Sequence, residues 1–148
     1  NILDKLGKEV ALNLVYEAAV RGGHIRAEIV YSDEPIAVPF FEEADIGLQL
    51  SKTLDPTVHA RLVLIESSAC DAECKKCELR CPASDRIPFE KLAVEQFSSP
   101  IFVNMIALGR LLSKIGINIE TVNFAAEFPS QFLGENVKAI RYGYTYKD

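Results

Sequence analysis

The chain has 148 residues, of which 49% are hydrophobic and 25% charged, and it carries a net charge of −5. That length suits one domain with a real hydrophobic core. The acidic balance, with no basic run, excludes a nucleic-acid surface, and no apolar run approaches the length of a membrane span.

Asn1–Lys8 reads as the tail of a helix closed by Gly7. Because Ile2, Leu3 and Leu6 sit in helical spacing at the very start, further residues are expected upstream. Glu9–Tyr16 is a short run with β-branched and aromatic content and predicts a strand. Arg21-Gly22-Gly23 falls in a loop. His24–Ser32 alternates, with Ile25, Ala27, Ile29 and Tyr31 on one face and His24, Arg26, Glu28 and Val30 on the other, which predicts a half-buried strand. Ser32-Asp33-Glu34-Pro35 is a turn, Ile36–Val38 a candidate short strand, and Asp45–Ser51 another strand. Arg61–Ser67 places Leu62, Val63, Leu64 and Ile65 in succession, the pattern of an inner strand covered on both faces. A helix is expected near Pro88–Phe97, with Pro88 at its first position. Pro100–Ile115 predicts a helix that is apolar around most of its circumference, stopped by Gly116 and buried on most sides. Asn118 is placed to cap a helix over Ile119–Phe128, and a last helix over Glu135–Tyr142 is closed by Gly143. Strands mixed with helices, followed by three helices, predict an α/β domain with a mixed sheet.

The four cysteines all fall between positions 70 and 81, as Cys70-x3-Cys74-x2-Cys77-x3-Cys81-Pro82. Thiolates this close in sequence converge only if the loop wraps around something, and a soft-ligand centre of zinc or a [4Fe–4S] cluster fits. The spacing does not choose between the two. Two disulfides, or four free thiols, are the alternatives. Lys75, Lys76 and Arg80 would offset thiolate charge at a metal centre, and would also lower the pKa of free thiols and raise their reactivity, so they do not discriminate. The loop leaves the end of the inner strand, where functional loops of open α/β sheets gather.

Several single residues have both an ordinary and a functional reading. Arg21 beside two glycines could clamp a phosphate or carboxylate, or belong to a plain turn. Asn104 shares a helix face with Leu108, Leu111 and Ile115, so it must satisfy its amide in the core or touch a ligand. Gly109 in mid-helix implies close backbone packing. His24, His59, Glu34, Glu42 and Glu43 read as ordinary surface groups. There is no Ser/His/Asp arrangement and no phosphate-loop motif.

Taken together, Val20-Arg21-Gly22-Gly23, Ala27-Glu28, Ser32-Asp33-Glu34-Pro35-Ile36 and Ala44-Asp45 resemble the gamma subunit of 2-oxoacid:acceptor oxidoreductases, the family of the pyruvate, 2-oxoglutarate and indolepyruvate:ferredoxin enzymes. The second half agrees in Asn104-Met105, Leu108-Gly109, Leu112, Gly116, Phe128-Pro129, Asn136, Lys138-Ala139 and Gly143-Tyr144. The resemblance runs from Asn1 to about Tyr144, the cysteine stretch excepted. It implies a Rossmann-like α/β domain over residues 1–148 that lacks its opening strand and Gly-rich turn, with residues 70–82 as an insertion. It also implies a cytoplasmic hetero-oligomer that oxidatively decarboxylates a 2-oxoacid and hands electrons to ferredoxin or a similar carrier. Thiamine diphosphate and CoA would belong mainly to other subunits, and this chain would not catalyse alone. Arg21, Gly22, Gly23 and Asn104 would face the partner subunits or the CoA approach. Gamma domains of this kind lack such a cysteine loop, which leaves open an electron-relay cluster, a structural zinc or a redox-sensitive loop. A different class of function, a zinc-binding interaction or regulatory module on a Rossmann-like scaffold, accommodates the same cysteines.

Overall fold

The structure, a computed structural model, describes residues 2–16, 25–50, 59–69 and 84–147. These residues form two compact units, Asn1–Phe41 and Glu42–Asp148.

The first unit starts with one helical turn, α1 (Ile2–Lys5), which ends where Gly7 takes φ 81° and the Lys8 amide donates back to the Leu3 carbonyl at 3.1 Å. A left-handed residue after a helix is the usual place for glycine, as the sequence implies. Strands β1 (Glu9–Tyr16) and β2 (Ile25–Ser32) then pair antiparallel from Glu9↔Ser32 to Tyr16↔Ile25. The period of two is as expected, but the burial is reversed. Val10, Leu12, Leu14, Ile25, Ile29 and Tyr31 are exposed, while Arg26, Glu28, Val30 and Asn13 are half-buried. On that second face the Asn13 amide donates to Glu28 at 2.9 Å, and Arg26 pairs with Glu28 at 3.0 Å. Ile36–Val38 is not a strand: it is irregular and mostly exposed, with Pro35 and Pro39 on either side removing ladder donors.

The second unit carries a parallel sheet of β3 (Ala44–Gln49), β4 (Ala60–Glu66) and β5 (Ser84–Ile87), in the order β3-β4-β5. The inner position of β4 is the one its apolar run demands, and Val63, Leu64 and Ile65 are buried. Antiparallel and parallel pairing are thus both present, in separate sheets among the described residues. One side of the parallel sheet packs into a cluster with α2 (Phe89–Phe97), α3 (Val103–Lys114) and α4 (Leu133–Thr145), built on Ile87, Phe89, Leu92, Phe102, Ile106 and Ala139. Ala60, Val63 and Ile65 make a second, smaller cluster.

Several helix expectations need correction. Pro88 precedes α2 as its cap residue rather than opening it. Pro100–Phe102 is a 3-10 turn before α3, and α3 buries one side, through Ile106, Ala107, Gly109 and Leu112, while Ile101 is exposed. The stretch 119–128 is not one helix but two 3-10 turns, Ile119–Thr121 and Phe124–Ala126. Asn118 caps the first as expected, accepting from the Glu120 amide at 3.0 Å, but Val122 is extended and the helix cannot propagate through it. Gly143 does not close the last helix, which runs on to Thr145. Its absent side chain serves packing instead. A Cβ on Gly143 would stand 1.9 Å from the Ile106 carbonyl oxygen, and one on Gly109 would stand 1.9 Å from that of Ile140. The two helices therefore cross backbone to backbone, as the mid-helix Gly109 implies.

Candidate functional site

In a parallel sheet the carboxyl ends of the strands are where ligands and functional loops collect, because the turns that follow can be varied without disturbing the ladder. Here that edge carries two buried polar residues. Gln49 ends β3 and is 9% exposed, and Glu66 ends β4 and is 2% exposed. Each stands one residue past an apolar position of its strand, Leu48 and Ile65.

The Glu66 carboxylate is fully engaged. Its Oε1 accepts from the Ser68 amide at 3.1 Å and the Ser67 hydroxyl at 3.3 Å, and its Oε2 accepts from the Glu90 amide at 3.0 Å. Pro88 offers α2 no side-chain cap, so Glu66 performs that task from another strand, where an anion also meets the positive end of the helix. One side chain thus ties the turn Ser67–Ala69, which leads into the cysteine stretch, to the helix that follows β5. Such a carboxylate positions backbone; it is not a free base. Glu66→Gln keeps the shape but sets an amide hydrogen against a donor. It is expected to lower stability by about 2 kcal/mol, the scale of a charged hydrogen bond with one donor left unpaired, as read from urea unfolding.

A second polar cluster lies toward the amino end of β5. Asp85 Oδ2 accepts from Arg110 Nη2 at 2.7 Å and from Lys114 Nζ at 3.0 Å, both on α3. The Asp85 and Arg110 side chains are only 9% and 11% exposed. Burial acts to raise the Asp85 pKa, but the hydrogen bonds and charges of Lys114 and Arg110 outweigh it and hold the carboxyl below its usual range. Arg110 Nη1 also donates to the Tyr146 carbonyl at 2.6 Å, and its guanidinium sits 5.8 Å from the centre of the Tyr146 ring. Strand, helix and chain end are locked together.

Of the residues singled out by sequence, Arg21, Gly22, Gly23 and His24, together with Cys70, Cys74, Cys77 and Cys81, lie outside the described residues. Asn104 is exposed on α3, so its amide meets solvent and needs no core partner. His59, Glu34, Glu42 and Glu43 are exposed as expected. Among the described residues no group of three or more His, Cys, Asp or Glu gathers to hold a metal. Sequence reasoning missed Gln49, Glu66 and the Asp85–Arg110–Lys114 cluster. The available signals were a carboxylate ending an otherwise apolar inner strand, and two cations four residues apart on one helix face.

Comparison with known proteins adds a second kind of finding. The sequence matches the family described as pyruvate ferredoxin/flavodoxin oxidoreductase over residues 1–146. It is 30% identical over 146 residues to the 2-oxoglutarate synthase subunit KorC of Archaeoglobus fulgidus, covering 93% of this chain and 72% of that protein. It is 31% identical over 113 residues to the KorC subunit of Methanocaldococcus jannaschii, covering 70% of this chain and 57% of that one. The fold is similar to that of the pyruvate oxidoreductase subunit PORC of Thermotoga maritima, with a TM-score of 0.70 and 22% identity over 97% of this chain and 82% of that one. It is also similar to the gamma subunit of a keto/oxoacid ferredoxin oxidoreductase of Geobacter sulfurreducens, with a TM-score of 0.64 and 18% identity over the same shares.

Proposed function

The chain belongs to the pyruvate ferredoxin/flavodoxin oxidoreductase family, and from that premise we propose that it is the gamma-type subunit of a complex that oxidatively decarboxylates a 2-oxoacid and passes the electrons to ferredoxin or a similar carrier. The observation that carries this reading is the family match over residues 1–146, joined to a named subunit of a 2-oxoglutarate synthase that aligns with 93% of the chain. In such a complex, thiamine diphosphate would supply the carbanion chemistry of decarboxylation and CoA would serve as acyl acceptor, both held mainly by other subunits. The two inward carboxylates Glu66 and Asp85 are each occupied by hydrogen bonds, which suits a packing and positioning subunit better than a catalytic one.

Residues 1–148 are read as one gamma-type domain, with residues 70–82 as an insertion. Within it we assign Arg21, Gly22, Gly23 and Asn104 to the side that faces the partner subunits or the CoA approach; the exposure of Asn104 leaves its amide available for that role. We assign Cys70, Cys74, Cys77 and Cys81 to a metal centre, a [4Fe–4S] relay or a structural zinc. Four soft donors within twelve positions fit either group. The cytoplasm is the proposed compartment. No helix among the described residues is long and apolar enough to cross a membrane.

The chain is expected to be inactive alone and to copurify with thiamine-dependent subunits in a complex that reduces ferredoxin. A purified chain that decarboxylates a 2-oxoacid unaided, or one that never enters such a complex, would overturn the reading. Metal and acid-labile sulfide analysis of oxygen-free protein tests the cysteine assignment. With a relay cluster, Cys77→Ser cuts acceptor reduction by the assembled complex. With structural zinc, it lowers stability and leaves turnover intact.

A further inference from the structure

We draw no further inference here: the strongest candidate, the apolar face of the β1–β2 hairpin that carries Leu12, Leu14, Ile25 and Ile29, supports no assignment because nothing in the structure shows what covers it.

Discussion

Gly143→Ala is expected to destabilise the second unit by about 3 kcal/mol, at the upper end of what overpacking costs, and to lower its melting temperature by about 10 °C. The added methyl would meet the Ile106 carbonyl oxygen at 1.9 Å, with the carbonyl carbon and Cα of Ile106 also within 3 Å. These are backbone atoms inside α3, so no rotamer change relieves the clash. The helices must separate, and buried contacts around Ile106 and Ala139 loosen with them. Gly109→Ala should cost nearly as much, since its methyl would meet the Ile140 carbonyl at the same distance. The two effects should not add, because the first separation already makes room for the second methyl. Gly134, near the start of the same helix α4, is the internal control. Nothing lies within 4 Å of a Cβ there, so Gly134→Ala should be neutral or stabilise by up to about 1 kcal/mol. Urea unfolding of the three variants would decide it. If Gly143→Ala proved as harmless as Gly134→Ala, the close crossing would be wrong.

Asp85→Asn is the second large effect, about 4 kcal/mol at neutral pH, the scale of breaking one side of a buried ion pair. The asparagine is nearly isosteric, so the loss is electrostatic. Arg110 keeps its charge with an 11% exposed side chain, and Lys114 loses its partner at 3.0 Å. The pH dependence has a definite sign. The folded-state pKa of Asp85 is lowered, so its contribution is fully present above the unfolded value of about 3.9. It is lost as pH falls below that value toward the folded pKa. The gap between wild type and Asp85→Asn should therefore be constant near neutrality and narrow below about pH 4. A gap independent of pH through that window would mean that Asp85 acts by shape rather than charge.

What could be read from the sequence was whatever depends on local pattern. β1 has the expected limits, Glu9–Tyr16, because its composition and turn neighbours leave little choice. β4 takes the inner position because four consecutive apolar residues suit only a strand covered on both faces. Gly109 packs backbone to backbone because nothing else justifies glycine in mid-helix. What stayed hidden depends on tertiary context. β5, Ser84–Ile87, is four residues long with one apolar side chain, and it is a strand because β4 offers it an edge. Gly143 looks like a helix stop by sequence; only the approach of α3 explains its presence inside α4. The hairpin shows the limit most clearly. Alternation reveals that it has two faces, but which face is the half-buried one depends on packing that lies outside a single strand's pattern. The site followed the same rule: strand ends could be foreseen, whereas Glu66 as the cap of a helix twenty-four positions away could not.

Four aromatic side chains of the second unit form a continuous ladder. Phe102 stands 5.4 Å from Phe97, Phe97 is 5.8 Å from Tyr142 in an edge-on pair, and Tyr142 is 6.3 Å from Tyr146, over which Arg110 sits. The chain has no tryptophan and five tyrosines, three of them, Tyr142, Tyr144 and Tyr146, in one short stretch at the C-terminal end. Near-ultraviolet ellipticity and tyrosine emission will therefore be weighted toward the ladder, while Tyr16 and Tyr31 belong to the hairpin. An optical melt of this protein would follow the loss of order around α4 and could register little of the hairpin's own opening. Amide-based signals would be needed to see both units come apart.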